Sequence, residues 1–259
     1  MSKTVRNIIN ISSGIILAAC LTLAYMFGVS CRSPLECTGL NIVIADSTVN
    51  GFVSAADVKK YLDKEYGTYK GMPLDSIDLE KVEKIIDGRS AVHKSQAFTT
   101  RDGKLNITVT QRTPVVRFQK SDGGFYADAE GFLFPLQNSY SSRVQVIDGE
   151  IPLKANSGYK GELADENERE WLRRVLNVVN YMENSKVWKD KIVQISVSDG
   201  GELTLVPRKG QERFLFGQPD NIDDKFSRME KYYTHIQPEK GADRYTSVSV
   251  EYDGQIVCR

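Results

Sequence analysis

The sequence predicts an α+β protein behind an N-terminal membrane helix. Three observations carry this reading. No charged side chain lies between Arg6 and Arg32, and nearly every residue there is apolar. A short apolar run then precedes two amphipathic helical patterns, each opened by a capping residue and closed by glycine. Beyond these, alternating segments joined at Asp-Gly and Glu-Gly turns are interrupted by further helical stripes, as in a mostly antiparallel sheet backed by helices.

Ile8 to Val29 would make a helix about 33 Å long at the usual rise per residue. That matches the roughly 30 Å hydrocarbon core of a bilayer. The chain is therefore divided into a tail (1–7), a membrane helix (8–30) and a linker (31–37). Lys3 and Arg6 precede the helix without an acidic residue, which puts the tail in the cytoplasm and the bulk outside. A cleaved leader would have a shorter apolar core and a small-residue cleavage site. Leu17-Ala18-Ala19-Cys20 does look like a lipoprotein processing site, but Leu21 to Val29 stays apolar past that cysteine. An uncleaved anchor in the inner membrane is the expectation.

The 34 basic and 34 acidic residues cancel, so composition offers nothing to a nucleic acid. Cys31 and Cys37 could pair in an oxidising compartment, leaving Cys258 odd, or all could be incidental thiols. No CxxC occurs, so no metal site is expected, and nothing points to a cofactor.

The first outer module is expected over 38–113. Leu40 to Ile44 is a candidate strand. Ser54 opens a helix with Asp57 as its capping-box partner, and Val58, Tyr61, Leu62 and Tyr66 form its apolar stripe before Gly67. A second helix follows Asp78, with Leu79, Val82, Ile85 and Ile86 on one face and Gly88 after it. Asp102-Gly103 then turns one extended arm, 92–100, into another. In the second arm Leu105, Ile107 and Val109 point one way and Asn106, Thr108 and Thr110 the other. The two helices must bury their stripes on this small three-stranded sheet.

The second module is expected over 114–259, after a break at Gln111-Arg112-Thr113-Pro114-Val115. Phe125 to Asp128 and Phe132 to Leu136 form a hairpin about Glu130-Gly131, and Val144 to Ile147 is another strand. Asp165 caps a long helix with Glu168 as box partner; its stripe is Trp171, Leu172, Val175, Leu176, Val179 and Met182. Ile192 to Val197 and Leu203 to Val206 make a second hairpin, and Phe214 to Phe216 is a further strand. Ile222, Phe226, Met229 and Tyr233 mark another helix. The chain closes with Tyr245 to Tyr252, turned by Asp253-Gly254 into Gln255 to Cys258.

The β-α-α-β-β order of the first module resembles the POTRA domain, a polypeptide-interaction module whose sheet edge recruits partner chains. The whole chain is similar to the bacterial cell-division family FtsQ/DivIB. The features that carry the likeness are the basic tail with its single anchor, Gln111-Arg112-Thr113-Pro114-Val115, Tyr126-x-Asp128-x-x-Gly131-x-x-Phe134-Pro135-Leu136, and the terminal Val248 to Gly254 segment. Gln111 stands where the family usually has Glu. Val144 to Gly149 stands in for its Leu-Pro-x-Leu-x-Gly stretch.

The resemblance implies a non-enzymatic scaffold at the division septum. It implies binding of FtsB and FtsL outside the cytoplasm, with further contact to FtsW, FtsI and FtsK. In the family the last long strand accepts a strand from FtsB. Here that is Tyr245 to Tyr252 with Gln255 to Cys258 beside it, so Tyr245, Val248, Val250, Tyr252, Gln255 and Val257 become the candidate partner-binding residues. An edge must be open for this, with backbone bonds giving affinity and side chains giving choice. Val248, Val250 and Tyr252 could equally be the inward face of the final strand. His93, Lys94 and Gln96 lie on the POTRA strand that the family uses in recruitment, or on an ordinary exposed strand. Arg208, Lys209 and Arg213 form a basic patch near a turn, either a solvated loop or a contact for acidic side chains.

Catalysis is the competing class. The two histidines, His93 and His235, are far apart, and neither HExxH, GxSxG nor a phosphate loop occurs. Asp223-Asp224 fits the acidic first turn of a helix. A POTRA-containing component of outer-membrane assembly or secretion is another reading. It would need a transmembrane barrel of amphipathic strands, whereas helices interrupt the segments seen here.

Overall fold

The computed structural model describes residues 3–30, 35–48, 50–138 and 140–259; in the first stretch it describes side chains over 12–25. The leading segment is a 28-residue helix, α1 (Lys3–Ser30). Its described side chains are exposed, among them Ile15, Ile16, Leu17, Leu21 and Leu23. The helical part of the anchor expectation is present; among the described residues no helix is long and apolar enough to cross a membrane. Cys31 lies outside the described residues, and with it the expected pairing to Cys37, which is buried.

The first module follows the expected order: β1 (Gly39–Ile44), α2 (Ala55–Glu65), α3 (Leu79–Asp87), β2 (Val92–Thr100) and β3 (Lys104–Gln111). The capping box of α2 is complete: the Asp57 amide donates to Ser54 Oγ, and the Ser54 amide donates to Asp57. Ser54 accordingly holds the Asp57 carboxyl below its usual range. Asp78 caps α3 by accepting from the Lys81 amide at 2.9 Å. Leu105, Ile107 and Val109 are fully buried beneath Val58, Leu62, Val82 and Ile86 of the helices. The strands lie in the order β1-β3-β2, with β1 parallel to β3. Gly103 turns the hairpin at φ +80°, and a Cβ there would lie 2.9 Å from the Glu36 carbonyl, so glycine is required.

The second module begins with β4 (Pro114–Phe118), β5 (Phe125–Asp128), β6 (Leu133–Pro135) and β7 (Gln145–Gly149). Pro114 opens its strand, a place where a missing N–H costs no ladder bond. There follow α4 (Glu166–Asn184), β8 (Ile192–Val197), β9 (Leu203–Pro207), β10 (Arg213–Gly217), α5 (Ile222–Lys231), α6 (Gln237–Lys240), β11 (Ser247–Ser249) and β12 (Val257–Cys258). One nine-stranded sheet runs β12-β11-β10-β9-β8-β7-β4-β5-β6. Its pairings are antiparallel except β4 with β7, β7 with β8 and β10 with β11. The last two of these crossovers carry the helices α4 and α5, as parallel neighbours require.

Two local expectations change. Glu168 does not return to its cap. Asp165 caps alone, accepting from the Asn167 amide at 2.8 Å, while Glu168 is drawn to Lys154, whose amide donates to it at 3.1 Å. Tyr233 falls beyond α5 in a π-turn, Tyr232–Ile236, and the wider turn makes Tyr232 the fully buried ring instead.

Candidate partner-binding site

The two open sheets present four rims, formed by β1, β2, β6 and β12. On β2 the outward amides are occupied: Ser95 N–H donates to Asp87 Oδ1 and Ala97 N–H to Glu83 Oε1, each at 2.7 Å. Two carboxylates of α3 thus cover the rim bearing His93, Lys94 and Gln96. Their side chains are exposed, but strand addition at this edge would first have to displace Glu83 and Asp87. On β6 the edge is closed by Gly161, which exchanges two backbone bonds with Leu133 at 2.9 and 3.0 Å. The rim of β1 carries the exposed Asn41 and Val43.

The fourth rim is the chain terminus, and it corrects the expected strand. The extended segment is short, Ser247–Ser249, and it is not the rim. It lies between β10, to which it is parallel, and β12, to which it is antiparallel. Val248 and Val250 are fully buried, so they support the sheet from its core face and offer no surface contact. Tyr245 and Val257 are half-buried, while Gln255 is exposed. Tyr252 is 58% exposed and projects from the turn between the last two strands.

That turn is held from below. Arg228 on α5 is 3% exposed, and its Nη1 donates to the carbonyls of Tyr252 and Gln255, the latter at 3.2 Å. Its Nη2 pairs with Asp224 at 2.7 Å, which gives the Asp223-Asp224 pair a structural use. Against Phe214 of β10, with ring centroids 5.6 and 5.5 Å away, Tyr232 and Tyr233 open a polar cluster. Tyr233 Oη donates to Glu212 Oε1 at 2.7 Å. Glu212 Oε2 and Tyr232 Oη are buried without a hydrogen-bond partner among the described residues. Burial first, then the nearby Glu212, Cys258 and Tyr245, push the Tyr232 phenol up to about 12. Burial likewise pushes up the Cys258 thiol.

The sequence motifs that carry the family likeness lie elsewhere, at the seam between the modules. Strand β5 is buried on both faces: Phe125 and Ala127 join the core of the large sheet, while Tyr126 joins that of the first module. Phe52 sits edge-on to Tyr126, Phe134 and Tyr140, with centroids 5.6, 5.8 and 4.8 Å away. Arg112 Nη1 pairs with Asp128 Oδ2 at 2.7 Å, and its guanidinium lies 3.4 Å from the Phe132 ring centroid. Asp128 Oδ1 accepts the amides of Glu130 and Phe132 at 3.0 and 2.9 Å, which explains the Asp-x-x-Gly spacing of that turn. Gln111 accepts from the Val53 amide and donates to the Asn50 carbonyl, both at 2.7 Å. An ionised Glu would lack that donor, so the departure at Gln111 has a local reason. Lys160 adds a tie across the seam, donating to the carbonyls of Asp87 and Gly88 at 3.2 and 3.0 Å.

The sequence reading placed Tyr126 and Phe134 in a hairpin and a motif but assigned them no packing surface, and it passed over Phe52 and Tyr140. Arg228 and Glu212 were missed altogether, since a single charge inside an amphipathic pattern looks solvated. In the basic patch, Arg208 Nε donates to the Asp190 carbonyl at 2.9 Å, while the Arg213 backbone pairs with Ser247 of β11 and its amide donates to the Thr246 carbonyl at 2.9 Å. Among the described residues no group of His, Cys, Asp and Glu could hold a metal ion.

A family model described as FtsQ/DivIB, C-terminal related, matches residues 113–259. A model for the POTRA-like domain matches residues 35–110. Among curated proteins none matches the chain.

Proposed function

The chain belongs to the FtsQ/DivIB family, a family of non-enzymatic division scaffolds, and from that premise we propose that it joins other proteins into the division complex at the septum. The observation that carries the reading is the terminal sheet of the family-matched region. It ends on a two-residue strand, with an exposed aromatic on the turn that leads into it, a place where an extended segment of another chain can be received. FtsB is the proposed donor of that strand, with FtsL beside it. FtsW, FtsI and FtsK are proposed as further contacts. The charge-free run 8–30 supports an inner-membrane anchor with the two modules in the periplasm, and the balanced charge supports a protein partner over a nucleic acid.

Depleting the protein should give filaments that lack septa, read by microscopy with a membrane stain; normal constriction after depletion would end the proposal. Copurification from a detergent extract should bring FtsB along. Tyr252→Lys should weaken that capture about tenfold or more, because a charge must be desolvated at the contact. The fold should survive, since the ring is largely exposed. Unchanged capture would remove Tyr252 from the site.

A further inference from the structure

The basic turn between β9 and β10 has no part in strand capture. It carries Arg208 and Lys209, both exposed. Two hollows flank it, of about 290 and 400 Å³, and Asp190 and Arg208 line both. The smaller is walled by the buried Pro207 and the half-buried Tyr233 and is rimmed by Lys191 and Lys209. The larger extends past Trp188 and Val193 to Gln145 and Arg143. We propose that this double hollow is a second docking site, which receives an extended acidic segment of a partner protein. An apolar side chain of that segment sits beside Pro207, and its carboxylates meet Arg208 and Arg143. The inference goes beyond the strand capture above and does not depend on it.

Three observations identify the occupant. The first is a guanidinium already held in place. The Arg208 amide donates to the Lys191 carbonyl at 2.7 Å, and its Nε donates to the Asp190 carbonyl at 2.9 Å. Asp190 takes the left-handed conformation there, at φ +60°. The two Nη groups of Arg208 have no partner among the described residues, and neither do the side chains of Arg143 and Lys209. A guanidinium anchored through Nε presents its two ends as a fork that matches a carboxylate. The second is charge. Four basic side chains line the hollows against two acidic ones, Glu183 and Asp190, in a chain whose charges cancel overall. The third is the mixture of surfaces. A phosphate or a lipid headgroup would use the charges and leave the hollow beside Pro207 empty. A peptide supplies acidic and apolar side chains from one backbone. The site also stands apart from the terminal rim. Arg213, just after the turn, pairs with Ser247, whereas Tyr252 follows Ser249, the partner of Leu215. The basic turn and Tyr252 therefore lie at opposite ends of the same strands.

The test uses the full chain in detergent, and its probe is an array of short peptides randomised over Asp, Glu, Lys, Ser, Leu and Phe. Acidic peptides with a Leu or Phe among their carboxylates should be enriched. The strongest of them, labelled with fluorescein, should bind saturably by anisotropy. Arg208→Glu and Lys209→Glu should each weaken that binding about tenfold or more, since each sets like charges against one another at the contact. Arg208→Lys should weaken it several-fold, because the charge stays and the fork is lost. Both side chains are exposed, so these variants should melt with the unaltered chain. Their capture of FtsB should be unchanged, and Tyr252→Lys should leave peptide binding unchanged, which separates failure of one site from failure of the other. An array that enriches no acidic peptide, or binding untouched by both charge reversals, would overturn the proposal. Equal displacement of the peptide by tripolyphosphate or by dihexanoyl phosphatidylglycerol would overturn it too, by showing a site for simple anions or for lipid headgroups. Loss of FtsB capture with Arg208→Glu would do the same, by making the turn part of the first contact.

Discussion

Arg112→Ala should destabilise the protein by about 3 kcal/mol, because removing one member of a buried ion pair strands the other. The two side chains are 11% and 9% exposed, so water cannot readily replace the guanidinium beside Asp128. Asp128 keeps its two amide donors, Glu130 and Phe132, which holds the loss to the lower part of the usual range. Arg112 also stacks on Phe132, and that contact is lost with it. A chain of this size should melt about 6–12 °C lower. Arg112→Lys should recover little, since a point charge can neither stack nor keep the planar geometry. Arg112→Ala/Asp128→Ala should be less damaging than the sum of the single changes, as no charge is then left stranded. A loss below about 1 kcal/mol for Arg112→Ala would mean that this pair does not hold the seam.

Phe52→Ala should cost about 3–5 kcal/mol, the usual range for deleting a buried ring. The expected change in behaviour is more informative than its size. Phe52 is 5% exposed and belongs to the first module, yet two of its ring partners, Tyr126 and Phe134, belong to strands of the second. In the unaltered protein the modules should unfold together in denaturant. With the ring gone they should separate into two transitions, followed by near-ultraviolet circular dichroism, the smaller module leaving first. A single transition with an unchanged midpoint would remove Phe52 from the coupling. A rigid seam bears on function, because a scaffold that holds partners at two places transmits geometry only if its modules do not swing freely.

Local patterns were legible wherever the physics is local. The Ser54–Asp57 capping box, the alternation of Leu105, Ile107 and Val109, and the Asp165 cap each depend on neighbours within a few residues. The same elements show where reading stopped. Glu168 stands at capping-box spacing, but the Lys154 amide, far off in the chain, claims it. The family motif from Tyr126 to Leu136 was visible as a motif, while its use as the packing surface between two cores was not. Its alternation has no polar side to betray that both faces are covered.

Composition, periodicity and capping by themselves determined the two-module α+β organisation with its helices and hairpins, while the likeness to a division family rested on motifs such as Gln111 to Val115 and Tyr126 to Leu136. Tertiary structure alone decided which strand lies at which rim. It also decided that Glu83 and Asp87 cover one edge, that the seam is held by Arg112 and Phe52, and that the final residues fold over the strand expected to stand open. The reason is that side-chain period reports one chain's own exposure, whereas strand order is set by backbone bonds between segments distant in sequence, about which a local pattern is silent.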